Sequence, residues 1–127
     1  MTKDILLVDD LLLDVMLTRR ALDDCTIPHR IVVACDGEEA WQLAGAQRFD
    51  LILLDLKMPR VDGFELLGRL REHAGRRVPA IVLSGSNLAA DRSRADALGA
   101  IEYVHKALDY TEFRDGLKAA LGRHGFC

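Results

Sequence analysis

The chain has 127 residues, of which 50% are hydrophobic, and its formal net charge is −3. This length and hydrophobic content exclude a disordered chain and suit one ordinary domain with a sizeable core. The slightly acidic balance gives no support for a nucleic-acid-binding surface, no apolar run approaches the length that spans a bilayer, and the N-terminus lacks a signal-peptide pattern.

Short apolar runs alternate along the chain with segments of helical periodicity. Apolar runs bounded by turn residues are typical of strands buried on both faces, and they fall near residues 4–8, 30–34, 51–54, 80–83 and 101–104. The helical segments run from about Leu12 to Asp24, after Asp36-Gly37, after Asp62-Gly63, from Leu88 to Leu98 and from Tyr110 to Leu121. Strict alternation predicts an α/β fold with a parallel sheet and helices on both faces. Residues 1–127 are predicted to form a single domain, with no second domain after the last helix.

The first helix carries more apolar residues than one buried stripe needs. The residues predicted to face the core, at i, i+4 spacing, are Leu13, Leu17 and Ala21. A second apolar ridge comprises Leu12, Val15 and Met16. This ridge is either a set of scattered surface hydrophobes, which are common, or a docking surface for a partner.

Polar side chains follow four of the predicted strands at the point where each strand ends. Asp9 and Asp10 follow the first strand, Asp55 the third and Ser84 the fourth, while Lys106 comes just after the fifth. The carboxyl ends of parallel strands meet at one edge of the sheet, where open α/β sheets place their ligands. Three carboxylates, a hydroxyl and an ammonium group are therefore expected to converge.

These residue types favour a divalent cation and a phosphoryl group. Crowded carboxylates repel one another, and their pKa values rise unless a cation joins them. Mg²⁺ suits best, because it accepts one or two carboxylates and bridges to phosphate oxygens. Asp55 can then act as a nucleophile, with Lys106 and Ser84 contacting other phosphoryl oxygens. Taken singly, each residue has an ordinary explanation as a helix cap, a turn or a solvated charge, so the ordered set carries the prediction.

The ordered set resembles the receiver domain of bacterial two-component response regulators over essentially the whole chain. The motifs that carry the resemblance are Leu6-Leu7-Val8-Asp9-Asp10, Leu53-Leu54-Asp55-Leu56-Lys57-Met58-Pro59 with Asp62-Gly63, Ser84-Gly85, Tyr103 and Lys106. The resemblance implies a three-layer flavodoxin-like (βα)5 fold, doubly wound, with a parallel five-stranded sheet in the order 2-1-3-4-5. It also implies a stand-alone, chemotaxis-type receiver without an output domain.

The resemblance further implies a role for each matching acidic residue. Asp55 would accept a phosphoryl group from a sensor histidine kinase or a histidine phosphotransfer protein, and enzymatic activity would be limited to self-phosphorylation and self-dephosphorylation. Asp10 and Asp55 would ligate Mg²⁺ directly, with Asp9 acting mainly through water. The backbone carbonyl of Lys57 would be a further ligand.

The same resemblance implies how the signal leaves the domain. Ser84 would move toward the phosphoryl group, and Tyr103 would turn inward into the vacated space. These two residues form the implied switch pair, and the output surface is the face of helix four, strand five and helix five. Segments 9–15 and 106–113 look like stand-alone receivers found beside phytochrome-type kinases, which often form homodimers through that face. Receivers of this kind dock their kinase through helix one.

One position departs from the family pattern. The family usually has a proline, often with a cis bond, directly after the lysine, and this chain has Ala107. A cis bond to alanine costs about 3 kcal/mol relative to trans. The loop after strand five is therefore either trans and rearranged or strained, and the sequence leaves the choice between cis and trans open.

Three other functions compete with this interpretation. A phosphotransferase of the haloacid-dehalogenase type needs a second Asp two positions after its nucleophile, where this chain has Lys57. A flavodoxin-like cofactor binder needs a hydroxyl- and Gly-rich phosphate loop, whereas Asp9-Asp10 would repel a phosphate. A phosphorylation-independent, receiver-like interaction module is supported by Ala107 alone.

The three cysteines form an odd set without metal-ligand spacing. Cys25 is expected near the end of a helix and Cys35 at the far end of the next strand, which argues against a bridge between them. All three, including Cys127, are predicted to be reduced in a cytoplasmic protein.

Overall fold

The computed structural model describes residues 2–58, 61–73 and 78–127, so Pro59 of the predicted motif lies outside the described residues. Strands and helices alternate, and each predicted element is present, with every predicted end within two residues of the observed one. The elements are β1 (Lys3–Val8), α1 (Leu12–Asp23), β2 (His29–Ala34), α2 (Gly37–Ala46), β3 (Leu51–Asp55), α3 (Gly63–Glu72), β4 (Ala80–Ser84), α4 (Ala89–Ala97), β5 (Glu102–His105) and α5 (Tyr110–Arg123).

The five strands form one parallel sheet in the order β2-β1-β3-β4-β5, which confirms the predicted flavodoxin-like topology. Successive residues of a strand point to opposite faces, and each face has its own core. Ile5 and Leu7 of β1 face the layer of α1 and α5. Leu6 and Val8 face the layer of α2, α3 and α4. The sheet is thus covered on both sides, giving three layers.

Burial on both faces explains why the central strands are continuous apolar runs. Leu51–Leu54 of β3 are fully buried, and the register pairs Leu54 with Val8 on one side and with Val82 on the other. The same register ends β1, β3 and β4 at nearly the same height. The polar residues that follow them therefore share one edge.

Two aspartates and a glycine fix the helices beside that edge. Asp36 caps α2 by accepting from the Glu39 N–H at 2.8 Å, and Asp62 caps α3 by accepting from the Glu65 N–H at 2.9 Å. Gly63 allows α3 to begin directly against β3, because a Cβ there would lie 2.5 Å from the Asp55 carbonyl oxygen. A side chain at position 63 would push the helix away from the end of β3.

The prediction for the buried side of α1 is confirmed for Ala21 but was wrong for Leu13 and Val15. The buried residues are Val15, Thr18, Ala21 and Leu22. Leu13 was expected in the core but its exposed fraction is 66%, whereas Val15 was expected on the outer ridge and is buried. Apolar residues occupy almost the whole first turn, so hydrophobicity alone does not select a side. Packing against α5 selects the stripe that starts at Val15.

The prediction that all three cysteines are reduced is also wrong. Cys25 and Cys127 form a disulfide with a Cα–Cα distance of 4.9 Å. Cys35 is free and exposed, so the expected absence of a Cys25–Cys35 bridge is confirmed. The pairing arises because α1 and α5 pack on the same face of the sheet and end at the same edge. Within the described residues, no helix is long and apolar enough to cross a membrane.

Candidate functional site

The carboxyl edge of the sheet brings the predicted polar residues together. Asp9 follows β1, Asp55 and Ser84 are the last residues of β3 and β4, and Lys106 follows β5. The backbone N–H of Asp9 donates to Ala34 at 3.0 Å, and that of Lys106 donates to Ser84 at 2.7 Å. These bonds continue the sheet ladder by one residue, so both side chains start from a rigid backbone.

Asp9, Asp10 and Asp55 offer one carboxylate oxygen each, and these oxygens lie within 4.8 Å of one another. Asp9 and Asp55 are buried, with exposed fractions of 2% and 8%, whereas Asp10 is exposed. Asp9 accepts from the Leu11 N–H at 3.0 Å, and Asp55 accepts from the Lys57 N–H at 3.3 Å. These bonds orient the two buried carboxylates.

The Lys106 ammonium group lies among three carboxylates. Its Nζ is 2.7 Å from Asp9 Oδ2, 3.0 Å from Asp14 Oδ2 and 3.5 Å from Asp55 Oδ2. Asp14 was not predicted as a site residue. Its position in the first turn of α1, one turn after Asp9-Asp10, is the only signal in the sequence that could have identified it.

Burial and charge act in opposite directions on the two central groups. Burial raises the pKa of Asp55 above its ordinary value; Lys106 opposes this rise, and the neighbouring Asp9 adds to it. For Lys106, burial lowers the pKa, but the hydrogen bond to Asp9 and the charge of Asp55 outweigh burial, so its pKa is raised. Lys106 therefore stays charged, and negative charge remains in excess at the site. That excess, carried by oxygens, fits a hard divalent cation.

Ser84 and Tyr103, the predicted switch pair, are connected through the loop between β4 and α4. Ser84 is buried, and its hydroxyl oxygen accepts from the Ser86 N–H at 3.1 Å. The Tyr103 hydroxyl donates to the Ser86 carbonyl oxygen at 2.9 Å. Ser86 thus joins the two residues, a role that its residue type and position do not predict.

An arginine covers the ring of Tyr103. The Arg92 guanidinium carbon lies 4.6 Å from the ring centroid, within the range of a cation–π contact. Asn87 Oδ1 accepts from Arg92 at 2.7 Å and 3.2 Å and holds the guanidinium in place. Tyr103 is therefore fixed at its hydroxyl by Ser86 and over its face by Arg92.

The backbone after Lys106 has no cis bond. None of the described residues is preceded by a cis peptide bond, so the bond from Lys106 to Ala107 is trans. The Ala107 N–H donates to the His105 carbonyl oxygen at 3.0 Å, which closes a tight turn. The question that the sequence left open is settled in favour of trans.

Apolar side chains surround the acidic site on the side of α1. A cavity of about 500 Å³ runs from Asp55 and Lys106 toward Leu17 and Phe113. Three exposed leucines, Leu11, Leu13 and Leu108, line this cavity, and Leu12 and Met16 of α1 are also exposed. The first helix and the loop after β5 thus present an apolar surface directly beside the charged residues.

Comparisons with known proteins match most of the chain. The family model described as the response regulator receiver domain matches residues 5–118. Response regulator GtcR of Aneurinibacillus migulanus is 34% identical over 128 residues, covering 97% of this chain and 49% of that protein. The alkaline phosphatase synthesis transcriptional regulatory protein PhoP of Bacillus subtilis is also 34% identical, covering 97% of this chain and 50% of that protein. The chain thus spans about half the length of these curated relatives.

Several solved structures of response regulators are similar to this chain over nearly the whole length of both proteins. The phosphorylated cyanobacterial phytochrome response regulator RcpA is 33% identical with a TM-score of 0.82, covering 99% of this chain and 94% of that one. The Mn²⁺-bound response regulator Rcp1 is 31% identical with a TM-score of 0.81, with 98% and 93% covered. The bacteriophytochrome response regulator AtBRR is 32% identical with a TM-score of 0.77, with 96% and 94% covered.

Proposed function

Because the chain belongs to the response regulator receiver domain family, we propose that it is a phosphorylation-controlled switch in a two-component phosphorelay. Asp55 accepts the phosphoryl group from a sensor histidine kinase or a histidine phosphotransfer protein. The observation that carries this proposal is the convergence of Asp9, Asp10 and Asp55 on one edge with the Lys106 ammonium group among them. That arrangement provides a nucleophile, a cation site and a positive charge for a phosphoryl oxygen.

The acidic residues fit Mg²⁺ as the resident cofactor. Asp10 and Asp55 would bind it directly, Asp9 would act mainly through water, and the backbone carbonyl of Lys57 would be a further ligand. The bound ion supplies neutralisation of the charge that develops on the transferred group. Support comes from the proximity of the three carboxylates and from the excess of negative charge around Lys106.

Transfer replaces one bond to phosphorus with another. A carboxylate oxygen of Asp55 attacks, the P–O bond forms, and the P–N bond to the donor histidine breaks, leaving the electron pair on the imidazole nitrogen. Lys106 turns from Asp9 and Asp14 toward a phosphoryl oxygen, a short movement because its Nζ is already 3.5 Å from Asp55. Ser84 donates its hydroxyl to another phosphoryl oxygen. Hydrolysis of the acyl phosphate later resets the domain, and this self-directed chemistry is the extent of its enzymatic activity.

The switch operates by a shift of populations. When the Ser84 hydroxyl turns to the phosphoryl group, it no longer accepts from the Ser86 N–H, and the loop that holds the Tyr103 hydroxyl is released. The inward position of the Tyr103 ring is then favoured, and the face of α4, β5 and α5 changes shape. A phosphorylation-independent module would not need the complete acidic set, and therefore we do not favour it.

The surfaces also suggest partners. The exposed leucines of α1 beside the site offer a docking surface for the helices of a kinase, and the likeness to phytochrome response regulators points to a phytochrome-type kinase. The face of α4, β5 and α5 serves an unidentified protein target or a second copy of the chain. We infer a receiver domain that acts in the cytoplasm.

The central test is chemical labelling of Asp55. Incubation with a small phosphodonor and Mg²⁺ should add one phosphoryl group, which hydroxylamine removes, and mass spectrometry should locate it at Asp55. Asp55→Asn should not be labelled, because an amide is a poor nucleophile. Asp23→Asn, which alters an exposed aspartate at the end of α1, should be labelled like wild type. Full labelling of Asp55→Asn would contradict the assignment.

A further inference from the structure

The Cys25–Cys127 disulfide has no part in the proposed phosphorelay. Cys25 follows α1 and Cys127 follows α5; they are 102 residues apart in sequence, but their Cα atoms are 4.9 Å apart. A disulfide spans Cα separations of about 4.4–6.8 Å. The backbone therefore places the two cysteines at bonding distance without any movement of the helices.

The segment that carries Cys127 is anchored by contacts of its own. Gly125 has a φ of +79°, a left-handed conformation that reverses the chain after α5. The Phe126 ring is buried in the core between the sheet and the layer of α1 and α5. The Phe126 N–H donates to the Leu121 carbonyl oxygen at 2.9 Å, and the Phe126 carbonyl oxygen lies 2.7 Å from His29 Nε2. These contacts keep the two sulfurs close together after reduction, so the bond can form again.

The pair is accessible, and the remaining cysteine is in the wrong place to compete. Cys25 and Cys127 are both half-buried, so a small thiol or disulfide can reach a sulfur. Cys35 is exposed but follows β2, whereas Cys25 precedes that strand. A six-residue strand is about 20 Å long, so Cys35 lies at the opposite edge of the sheet.

We propose that Cys25 and Cys127 form a reversible redox modification site. A low-molecular-weight disulfide such as oxidised glutathione is the oxidant: one cysteine thiolate attacks it and releases one glutathione thiol. The second cysteine thiolate then attacks the mixed disulfide, releasing the second glutathione thiol and forming the protein disulfide. Two protein thiols lose their hydrogens, and two glutathione thiols gain them.

Reversibility follows from the compartment and from access to the bond. Disulfides in reducing compartments are usually transient or redox-sensing rather than permanent, and the proposed cytoplasmic location places this pair in that class. Oxidation links α1 covalently to the Phe126 segment and closes a loop of about a hundred residues. The cross-link should stabilise the layer of α1 and α5, chiefly by restricting the unfolded chain.

The experiment compares thermal unfolding after equilibration with oxidised glutathione or with dithiothreitol. Wild type should lose two hydrogen atoms on oxidation, resist alkylation at Cys25 and Cys127, and melt on the order of 10 °C higher than the reduced protein. Dithiothreitol should reverse all three changes in the folded protein. Cys35→Ser is the matched control and should respond like wild type, whereas Cys25→Ser and Cys127→Ser should lose the shift.

Each other outcome counts against the site. Equal melting temperatures in the two buffers, or full alkylation of both cysteines after oxidation, would show that Cys25 and Cys127 do not form a disulfide. A bond that dithiothreitol cannot reduce in the folded protein would mean a permanent structural disulfide instead. If either serine variant fails to fold, wild type and Cys35→Ser decide the question. The readouts are independent of phosphorylation, so failure here leaves the proposed function untouched.

Discussion

The two edges of the sheet differ in how their charged side chains are balanced. At the carboxyl edge, the Lys106 ammonium group lies among Asp9, Asp14 and Asp55, so negative charge is in excess. Burial raises the pKa of Asp55, which means that its charged form is disfavoured where it lies. This edge holds charges that a bound cation and a phosphoryl group can use.

At the amino edge, charges are paired and apolar side chains are covered. Glu102, the first residue of β5, lies 2.8 Å from Arg123 and 2.9 Å from His124, both at the end of α5. The hydrogen bond from Arg123 lowers the pKa of Glu102 to about 2; partial burial opposes this, and His124 adds to it. Phe126 is buried beside the disulfide at the same edge. We conclude that the amino edge contributes to stability, whereas the carboxyl edge carries an excess of negative charge that lowers stability and serves the proposed function.

The largest effect should come from removing the positive charge at the carboxyl edge. Lys106→Met should reduce the rate of Asp55 labelling by a small phosphodonor about 100-fold, because charge on the transferred phosphoryl group loses its partner. Rates are measured by mass spectrometry with Mg²⁺ present. Lys118→Met, on α5, should react like wild type. Equal labelling rates in Lys106→Met and Lys118→Met would show that Lys106 does not assist phosphoryl transfer.

Neutralising an aspartate at the carboxyl edge should stabilise the metal-free protein. Asp10→Asn should raise the free energy of unfolding of the metal-free protein by about 1 kcal/mol, since repulsion from neighbouring carboxylates is relieved. Wild type should be stabilised by Mg²⁺, by about 2.7 kcal/mol at a hundredfold excess over the dissociation constant. Asp10→Asn should lose most of that gain. Thermal melts with and without millimolar Mg²⁺ measure both effects, and an unchanged Mg²⁺ shift in the variant would exclude Asp10 as a ligand.

Neutralising Glu102 at the amino edge should destabilise the folded protein. Glu102→Gln should lower the free energy of unfolding by about 1 kcal/mol near neutral pH, because the ion pairs are partly exposed. The pKa of Glu102 is lowered in the folded state, so its contribution is complete above the ordinary pKa and is lost as pH falls toward about 2. The difference between wild type and Glu102→Gln should therefore shrink between about pH 4.5 and about pH 2. Urea unfolding at several pH values measures it, and a difference independent of pH would mean that the ion pairs do not contribute.

The sequence predicted the carboxyl edge better than the amino edge. Asp55 and Ser84 come directly after apolar runs, so strand prediction and parallel pairing are enough to place them. The strand order itself came from the family resemblance. Cys25 and Cys127 could not be paired in this way, because their contact depends on how two helices far apart in sequence pack against one sheet.

The same limit applies within the site. The apolar residues around Leu13 allowed more than one buried side for α1, and only packing against α5 selected Val15. Asp14 reaches Lys106 because α1 takes that orientation. Ser86 could not be recognised either, since its role depends on backbone groups rather than on its residue type.

The smallest effect should be on the proposed switch, which would carry the signal away from the carboxyl edge. Arg92 covers the ring of Tyr103, and a partly exposed cation–π contact is worth about 0.5–1 kcal/mol. Arg92→Ala should therefore shift the unphosphorylated protein away from the Tyr103 ring position that Ser86 and Arg92 hold, by about two- to fivefold. The further change on adding beryllofluoride should be correspondingly smaller.

Ring signals of isotope-labelled tyrosine can measure this shift by NMR, with Tyr110 as the internal reference. Arg94→Ala is the matched control, since Arg94 lies on the same helix but covers the ring of Phe64 at 4.1 Å. Its Tyr103 signals should respond to beryllofluoride as those of wild type do. Ser84→Ala should still be phosphorylated on Asp55, yet its Tyr103 signals should respond least of all, because the hydroxyl that links the phosphoryl group to Ser86 is gone. If Tyr103 responds equally in wild type, Ser84→Ala and Arg92→Ala, the signal does not pass through Ser86, and another route connects the site to the face of α4, β5 and α5.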